Sequence, residues 1–157
     1  LSIALANLVQ NIEIILVDSS QPVQEMAFQN IKEAGLGDRL TPLMSDVHNL
    51  PFRDDSISLV FSRGSIFFWD DPSQALMEVY RVLADGGRSY IGGGFGNADL
   101  KRSIFNKMTE KNPDWPKFTE KNLGMKNRKR LTGIVEKLGI PYNTIEYDAG
   151  FWIIISK

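Results

Sequence analysis

Apolar positions along this chain keep two alternating rhythms. Residues 13–17 end in the run Ile14-Ile15-Leu16-Val17, a continuous apolar stretch of the kind found in strands buried on both faces. From Gln21 to Ala34 the spacing lengthens to three and four, predicting a helix whose buried stripe is Val23, Met26, Ala27, Ile31 and Ala34, with Gly35 at its end. Leu40 to Met44 and Ile57 to Ser62 read as short strands. Asp71-Pro72-Ser73-Gln74 then carries a helix start, with Asp71 as N-cap, Pro72 in the first turn and Gln74 placed to reach back. Leu76, Val79, Tyr80 and Leu83 form its inward face, and Gly86-Gly87 is expected to close it. Arg88 to Gly92 predicts another strand, and Asn97 caps a helix from about Ala98 to Lys111. Asn112-Pro113-Asp114-Trp115-Pro116 interrupts that helix. A further one is centred on Leu131, Ile134, Val135 and Leu138 and ends at Gly139. Asn143 to Asp148 and Phe151 to Ser156 are the last two strands. Only Ala149-Gly150 separates them, which requires an antiparallel hairpin. The alternation of strands and helices predicts an α/β fold with a mostly parallel sheet and a C-terminal antiparallel hairpin, in one domain over residues 1–157.

Composition narrows the chemistry more than the fold. No apolar run approaches the roughly 18–20 residues of a membrane span, so no membrane role is expected. With no cysteine the chain has no disulfide, thiolate metal site or cysteine nucleophile, and one His argues against a histidine metal centre; no metal is expected. The lack of cysteine is compatible with a reducing compartment, and a cytoplasmic setting is expected. The net charge of −1 hides an uneven distribution, since residues 99–130 hold ten Lys or Arg and four Asp or Glu. Such a segment can draw in an anionic substrate or simply form a solvated helical surface. No aromatic stacking pattern or nucleic-acid motif accompanies it, so nucleic acid is not an expected partner.

Two aspartates carry the strongest functional signal. Asp18 ends the first predicted strand, and Asp46 follows the second, in Leu43-Met44-Ser45-Asp46-Val47-His48-Asn49-Leu50-Pro51-Phe52. Open α/β sheets bind ligands outside the carboxyl ends of their strands. An acid there accepts two ribose hydroxyls, and an acid one strand later takes an adenine amine, so the pair points to an adenosine site. The competing roles are helix capping for Asp18, with Ser19 and Ser20, and an Asx turn for Asp46.

The segment from Asp46 through Pro51-Phe52-Arg53-Asp54-Asp55-Ser56-Ile57-Ser58-Leu59-Val60 resembles the class I S-adenosylmethionine-dependent methyltransferases, which often carry Asp-x-x-x-Leu-Pro-Phe followed by Asp-Ser-Phe-Asp-Leu-Val. The resemblance implies a Rossmann-like sheet ending in a reversed strand, S-adenosyl-L-methionine as cofactor and a small-molecule substrate. It implies that Asp18 and Ser19 face the ribose, that Asp46 and Val47 face the adenine, and that Ser62 offers a carbonyl to the methionine end. Arg63, Phe68, Trp69 and Gly94 would line the substrate pocket. Arg63 would clamp an anionic group or form an ion pair with Asp70 or Asp71, and an aromatic from Phe67-Phe68-Trp69 would stack on substrate or pack as core. Gly92-Gly93-Gly94-Phe95-Gly96-Asn97 is read as a loop that approaches a ligand or as a packing device. His48 and Tyr90 are weaker candidates for handling a proton. No catalytic residue is assigned, because methyl transfer in such sites needs positioning and desolvation more than an acid or a metal.

The family places a strand and a glycine loop ahead of the helix that Leu1, Leu5 and Leu8 outline, so an N-terminally incomplete copy lacking the first strand is expected, with a natural short form as the other possibility. Two alternative functions remain open at this point: a non-catalytic binding or assembly subunit, and a fragment of a nicotinamide-dependent oxidoreductase, which also uses an acid at the position of Asp18.

Overall fold

All residues, 1–157, are described by the structure, a computed structural model. The elements are α1 (Ser2–Leu8), β1 (Ile14–Asp18), α2 (Gln21–Glu33), β2 (Leu40–Met44), β3 (Ile57–Arg63), α3 (Pro72–Val82), β4 (Leu83–Gly94), α4 (Ala98–Lys111), α5 (Trp115–Leu123), α6 (Met125–Leu138), β5 (Tyr142–Tyr147) and β6 (Gly150–Ser156), with a single 3₁₀ turn at Ile66–Phe68. The chain divides into two compact units, Leu1–Pro51 and Phe52–Lys157.

In the first unit β1 and β2 pair in parallel, from Ile14 beside Leu40 to Asp18 beside Met44. Ala6, Ile31 and Leu40 form the buried centre, with Ile3, Ile14, Leu16 and Leu36 packed around it. The predicted stripe of α2 does not hold. Ile31 is buried, but Val23 and Met26 are 45% and 63% exposed. The helix instead turns Gln24 inward, and its Nε2 donates to the carbonyls of Leu16, Asp18 and Leu43 at 3.2, 3.2 and 2.9 Å. A polar residue that satisfies strand-end carbonyls thus sits in the inward row, and the hydrophobic pattern alone is offset from it by one position.

The second unit holds a sheet in the order β3-β4-β6-β5. β3 and β4 are parallel and joined through α3, whereas β6 is antiparallel to both β4 and β5. The reversed final strand is the one the two-residue connection required. Asp71 caps α3 as expected, its Oδ1 accepting from the main-chain N–H groups of Ser73 and Gln74. Leu76, Val79 and Val82 of α3, Ile91 of β4, Leu131 and Val135 of α6, and the alternating Phe151, Ile153 and Ile155 of β6 make the core.

Three boundaries differ from those the sequence predicts. Helix α3 stops at Val82 rather than running to Gly86-Gly87, and the chain enters β4 at once. The register against β3 jumps from Ile57–Leu83 to Leu59–Arg88, so residues 84–87 bulge out of the ladder. At its other end β4 continues through Gly92, Gly93 and Gly94, which pair with Trp152, Phe151 and Gly150. These glycines are strand residues, and the loop expected there begins only at Phe95. Finally, α5 starts inside the predicted break, because Pro116 occupies its first turn, where a missing N–H costs nothing. No helix is long and apolar enough to cross a membrane.

Candidate functional site

Within the first unit, the parallel register brings both aspartates to the same end of neighbouring strands. The main-chain N–H of Ser45 donates to the Asp18 carbonyl at 3.2 Å, which fixes the chain leaving β2 beside the end of β1. The Asp18 carboxylate is half-buried and folds back on its own turn, Oδ1 accepting from Ser20 N–H at 2.9 Å. It does not cap α2 through a side-chain bond; Ser20 is the N-cap residue. Ser19 is exposed beside it.

Asp46 closes an Asx turn. Its Oδ1 accepts the His48 main-chain N–H at 2.9 Å and faces His48 Nδ1 at 2.6 Å, while its carbonyl takes Asn49 N–H at 3.1 Å. The main-chain bond from His48 and then the ring bond hold the Asp46 carboxyl below its ordinary value of 3.8. The carboxylate is therefore anionic throughout the neutral range, with Oδ2 outside these bonds. Its side chain is 63% exposed, and Val47 next to it is half-buried. His48 is thereby engaged with Asp46, an interaction that sequence reading did not foresee.

In the second unit, Ser62 and Arg63 end β3 opposite Ile91 and Gly92 of β4. Gly64 turns the chain there with φ 85°, and its N–H donates to the Gly92 carbonyl at 2.6 Å. Arg63 Nη2 donates to the Gly94 carbonyl at 2.8 Å, so the two predicted pocket residues are brought together at the carboxyl ends of β3 and β4. The aromatics then separate by role. Phe67 packs over Gly93, where an added Cβ would lie 3.2 Å from the ring. Phe68 is 66% exposed and stacks on Phe118 at 6.2 Å, and Phe118 in turn stacks on Trp115 at 5.4 Å. Trp69 is half-buried at the end of the 3₁₀ turn. Phe118 and Trp115 were missed because the segment was read as a break; Pro116 at a helix first turn was the available signal. Tyr90 lies mid-strand in β4, beside Phe61 and Ile154.

Comparison with known proteins places the chain in a family. A family model described as a methyltransferase domain matches residues 1–91. A crystal structure of a candidate S-adenosyl-L-methionine-dependent methyltransferase from Methanococcus maripaludis superposes with a TM-score of 0.94 at 46% identity, covering 99% of this chain and 71% of that one. Among curated proteins, the demethylmenaquinone methyltransferase of Lactiplantibacillus plantarum is 35% identical over 76 residues, which are 48% of this chain and 32% of that protein. The chloroplastic 2-methyl-6-phytyl-1,4-hydroquinone methyltransferase 2 of Oryza sativa subsp. japonica is 39% identical over 74 residues, 47% of this chain and 20% of that protein. The matched stretches thus span a third or less of these curated relatives.

Proposed function

The chain belongs to the methyltransferase domain family, and from that premise we propose that it serves a transfer of the methyl group of S-adenosyl-L-methionine to a small molecule. The observation that carries the reading is the pair of carboxylates, Asp18 and Asp46, at the carboxyl ends of adjacent parallel strands. The names of the two curated relatives, demethylmenaquinone and phytyl-hydroquinone methyltransferases, support a small-molecule acceptor. The nicotinamide alternative expects a sheet that continues parallel, and the antiparallel β6 counts against it.

The donor and acceptor chemistry fits the cofactor. Asp18 keeps Oδ2 outside its turn and, with Ser19 beside it, can accept ribose hydroxyls. Asp46, held anionic by His48, can accept an amine through Oδ2 while Val47 offers an apolar edge to the ring. S-adenosyl-L-methionine, when bound, supplies an electrophilic methyl on a sulfonium. The chain's residues bind and orient. Ser62 ends β3 opposite Ile91, and Arg63 holds the Gly94 carbonyl and so fixes the mouth between β3 and β4. Phe68, stacked on Phe118, and Trp69 follow β3 and are the aromatics offered to flank the acceptor. Neither His48 nor any other side chain is assigned a proton, since in-line displacement is served by orientation and a dry surface.

Calorimetric titration with S-adenosyl-L-methionine tests the reading. Asp18→Ala and Asp46→Ala should each weaken binding by about 1.5–3 kcal/mol, the worth of a hydrogen bond to a charged group. Unchanged affinity in both variants sinks the adenosine assignment, and no binding by the parent chain would favour a non-catalytic member of the family.

A further inference from the structure

The sheet of the second unit ends in β5, and half of that strand's main-chain groups are left without a partner. β5 runs antiparallel to β6 in an unbroken register, from Tyr142 beside Ile155 to Tyr147 beside Gly150. The main-chain N–H of Ser156 donates to the Pro141 carbonyl at 3.1 Å, which sets the phase of the ladder. In an antiparallel pair the N–H and C=O of one residue point the same way, and the direction alternates along the strand. Pro141, Asn143, Ile145 and Tyr147 therefore turn their groups to β6, and Tyr142, Thr144 and Glu146 turn theirs away from it. The last three line an open edge with donors and acceptors. Asn143 to Tyr147 are all exposed, so the edge is uncovered.

Proteins ordinarily blunt such an edge with lysine, proline, a bulge or a covering element. β5 has none of these along its length. In the first unit, by contrast, β2 has Pro42 at its centre. Glu146 is the one charged residue of β5, and Arg128 Nη1 already meets its Oε1 at 3.0 Å. The acid that would repel a neighbouring strand is thus paired within its own chain. Ile145 and Tyr147 stand exposed along the same strand, apolar surface that a further strand would cover.

We propose that β5 is a self-association edge, on which a second copy of this chain lays its own β5 antiparallel and continues the sheet across a two-fold axis. The strand itself selects the register, because outward groups must meet outward groups. With the axis at Thr144, that residue faces Thr144 of the second copy, and Tyr142 and Glu146 face each other in both directions. All three outward residues then find partners within β5, and no acid opposes an acid. An axis at Asn143 would set Glu146 against Ile140, outside the strand, and one at Glu146 would set the two acids against each other. The pairing uses the β5 edge of both copies, so it closes as a dimer. One pair of strands covers little surface, which makes the dimer a weak and reversible one. The proposal is independent of the methyl-transfer reading.

Sedimentation equilibrium of the 157-residue chain, from micromolar to millimolar concentration, tests it. The parent should show a reversible monomer–dimer equilibrium. Thr144→Lys and Thr144→Glu each set like charges against each other across the axis and should weaken association about fivefold. Mixed together, the two variants should associate at least as tightly as the parent, because Lys then faces Glu. Thr144 is exposed, so both should melt near the parent temperature. Thr144→Pro removes an N–H that points away from β6. It deletes two bonds from the dimer and none from the β5–β6 ladder, and should weaken association about tenfold or more. That variant decides the matter should a charged one fold poorly. A parent that stays monomeric throughout overturns the proposal. So does association that ignores every change at Thr144, as pairing through β3, the other edge of the sheet, would. A mixture of the Lys and Glu variants that associates no better than either alone overturns it as well.

Discussion

At the scale of single residues, glycine and aspartate show how a side chain's meaning depends on what the fold places against it. Gly92 was read as part of a loop able to approach a ligand, yet it lies within β4, and an added Cβ would fall 2.2 Å from the Phe151 carbonyl oxygen and 2.8 Å from Trp152 Cα. Both neighbours are backbone of β6 and cannot swing away. Gly92→Ala should therefore destabilise the protein by about 1–3 kcal/mol or more, the range for overpacking. The urea midpoint measures this, and a midpoint within error of the parent would mean that β4 and β6 do not approach as closely as the structure has them. Nothing in the run Gly92-Gly93-Gly94 distinguishes a flexible loop from a close strand crossing, since the reason lies 59 residues away in sequence, at Phe151. The aspartates were more legible. Both Asp18 and Asp46 stand at strand ends, as the short apolar runs before them indicate. What could not be read was the engagement of Asp46 with His48, because a carboxylate and an imidazole two residues apart meet only when the turn between them closes.

Elements were recovered in proportion to how local their signals are. Asp71 and Asn97 cap their helices because capping is an interaction over two or three residues, visible in sequence. The face that α2 buries was misjudged because Gln24 wins its place by bonding three carbonyls from two strands, a tertiary reward that hydrophobic periodicity does not record. The β5–β6 hairpin was legible from its short connection, but its fastening to α4 was not. That fastening is Lys101 to Asp148, whose Nζ reaches both the carboxylate and the carbonyl at 2.8 Å. The hydrogen bond from Lys101, and then its charge, hold the Asp148 carboxyl below the ordinary 3.8. A carboxyl depressed in the folded state stabilises above its unfolded value and loses that contribution as pH falls through the folded one. Asp148→Asn should thus melt below the parent at neutral pH and low salt, and the two melting temperatures should converge as pH drops below 3.8. A gap independent of pH would show that the carboxylate charge plays no part. The pair is exposed, so added salt should also narrow the gap.

For the molecule as a whole, the α/β class and the reversed last strand were read correctly from alternation and from one tight turn, whereas the unequal strength of the two units was not. Alternation counts elements but says nothing of how many neighbours each will have. In the first unit β1 and β2 have only each other as strand partners, around a buried centre of Ala6, Ile31 and Leu40. Large apolar side chains there remain exposed, among them Ile15 at 43%, Phe28 at 62% and Met44 at 63%. The second unit has four paired strands, and Leu76, Ile91, Leu131, Phe151, Ile153 and Ile155 are all at most 1% exposed. A two-stranded pair contributes little stability by itself, and local opening follows the density of buried contacts. Native-state hydrogen exchange should therefore find the amides of β1 and β2 opening first, at rates roughly tenfold or more above those of β4 and β6. This matters for the proposed chemistry, because Asp18 and Asp46 belong to the weaker unit. A ligand that binds only the ordered state stabilises it by mass action, so S-adenosyl-L-methionine should slow exchange in β1 and β2. Uniform protection across both sheets without ligand would refute the inequality. Cofactor that slows no amide of the first unit would count against the placement of adenosine on Asp18 and Asp46.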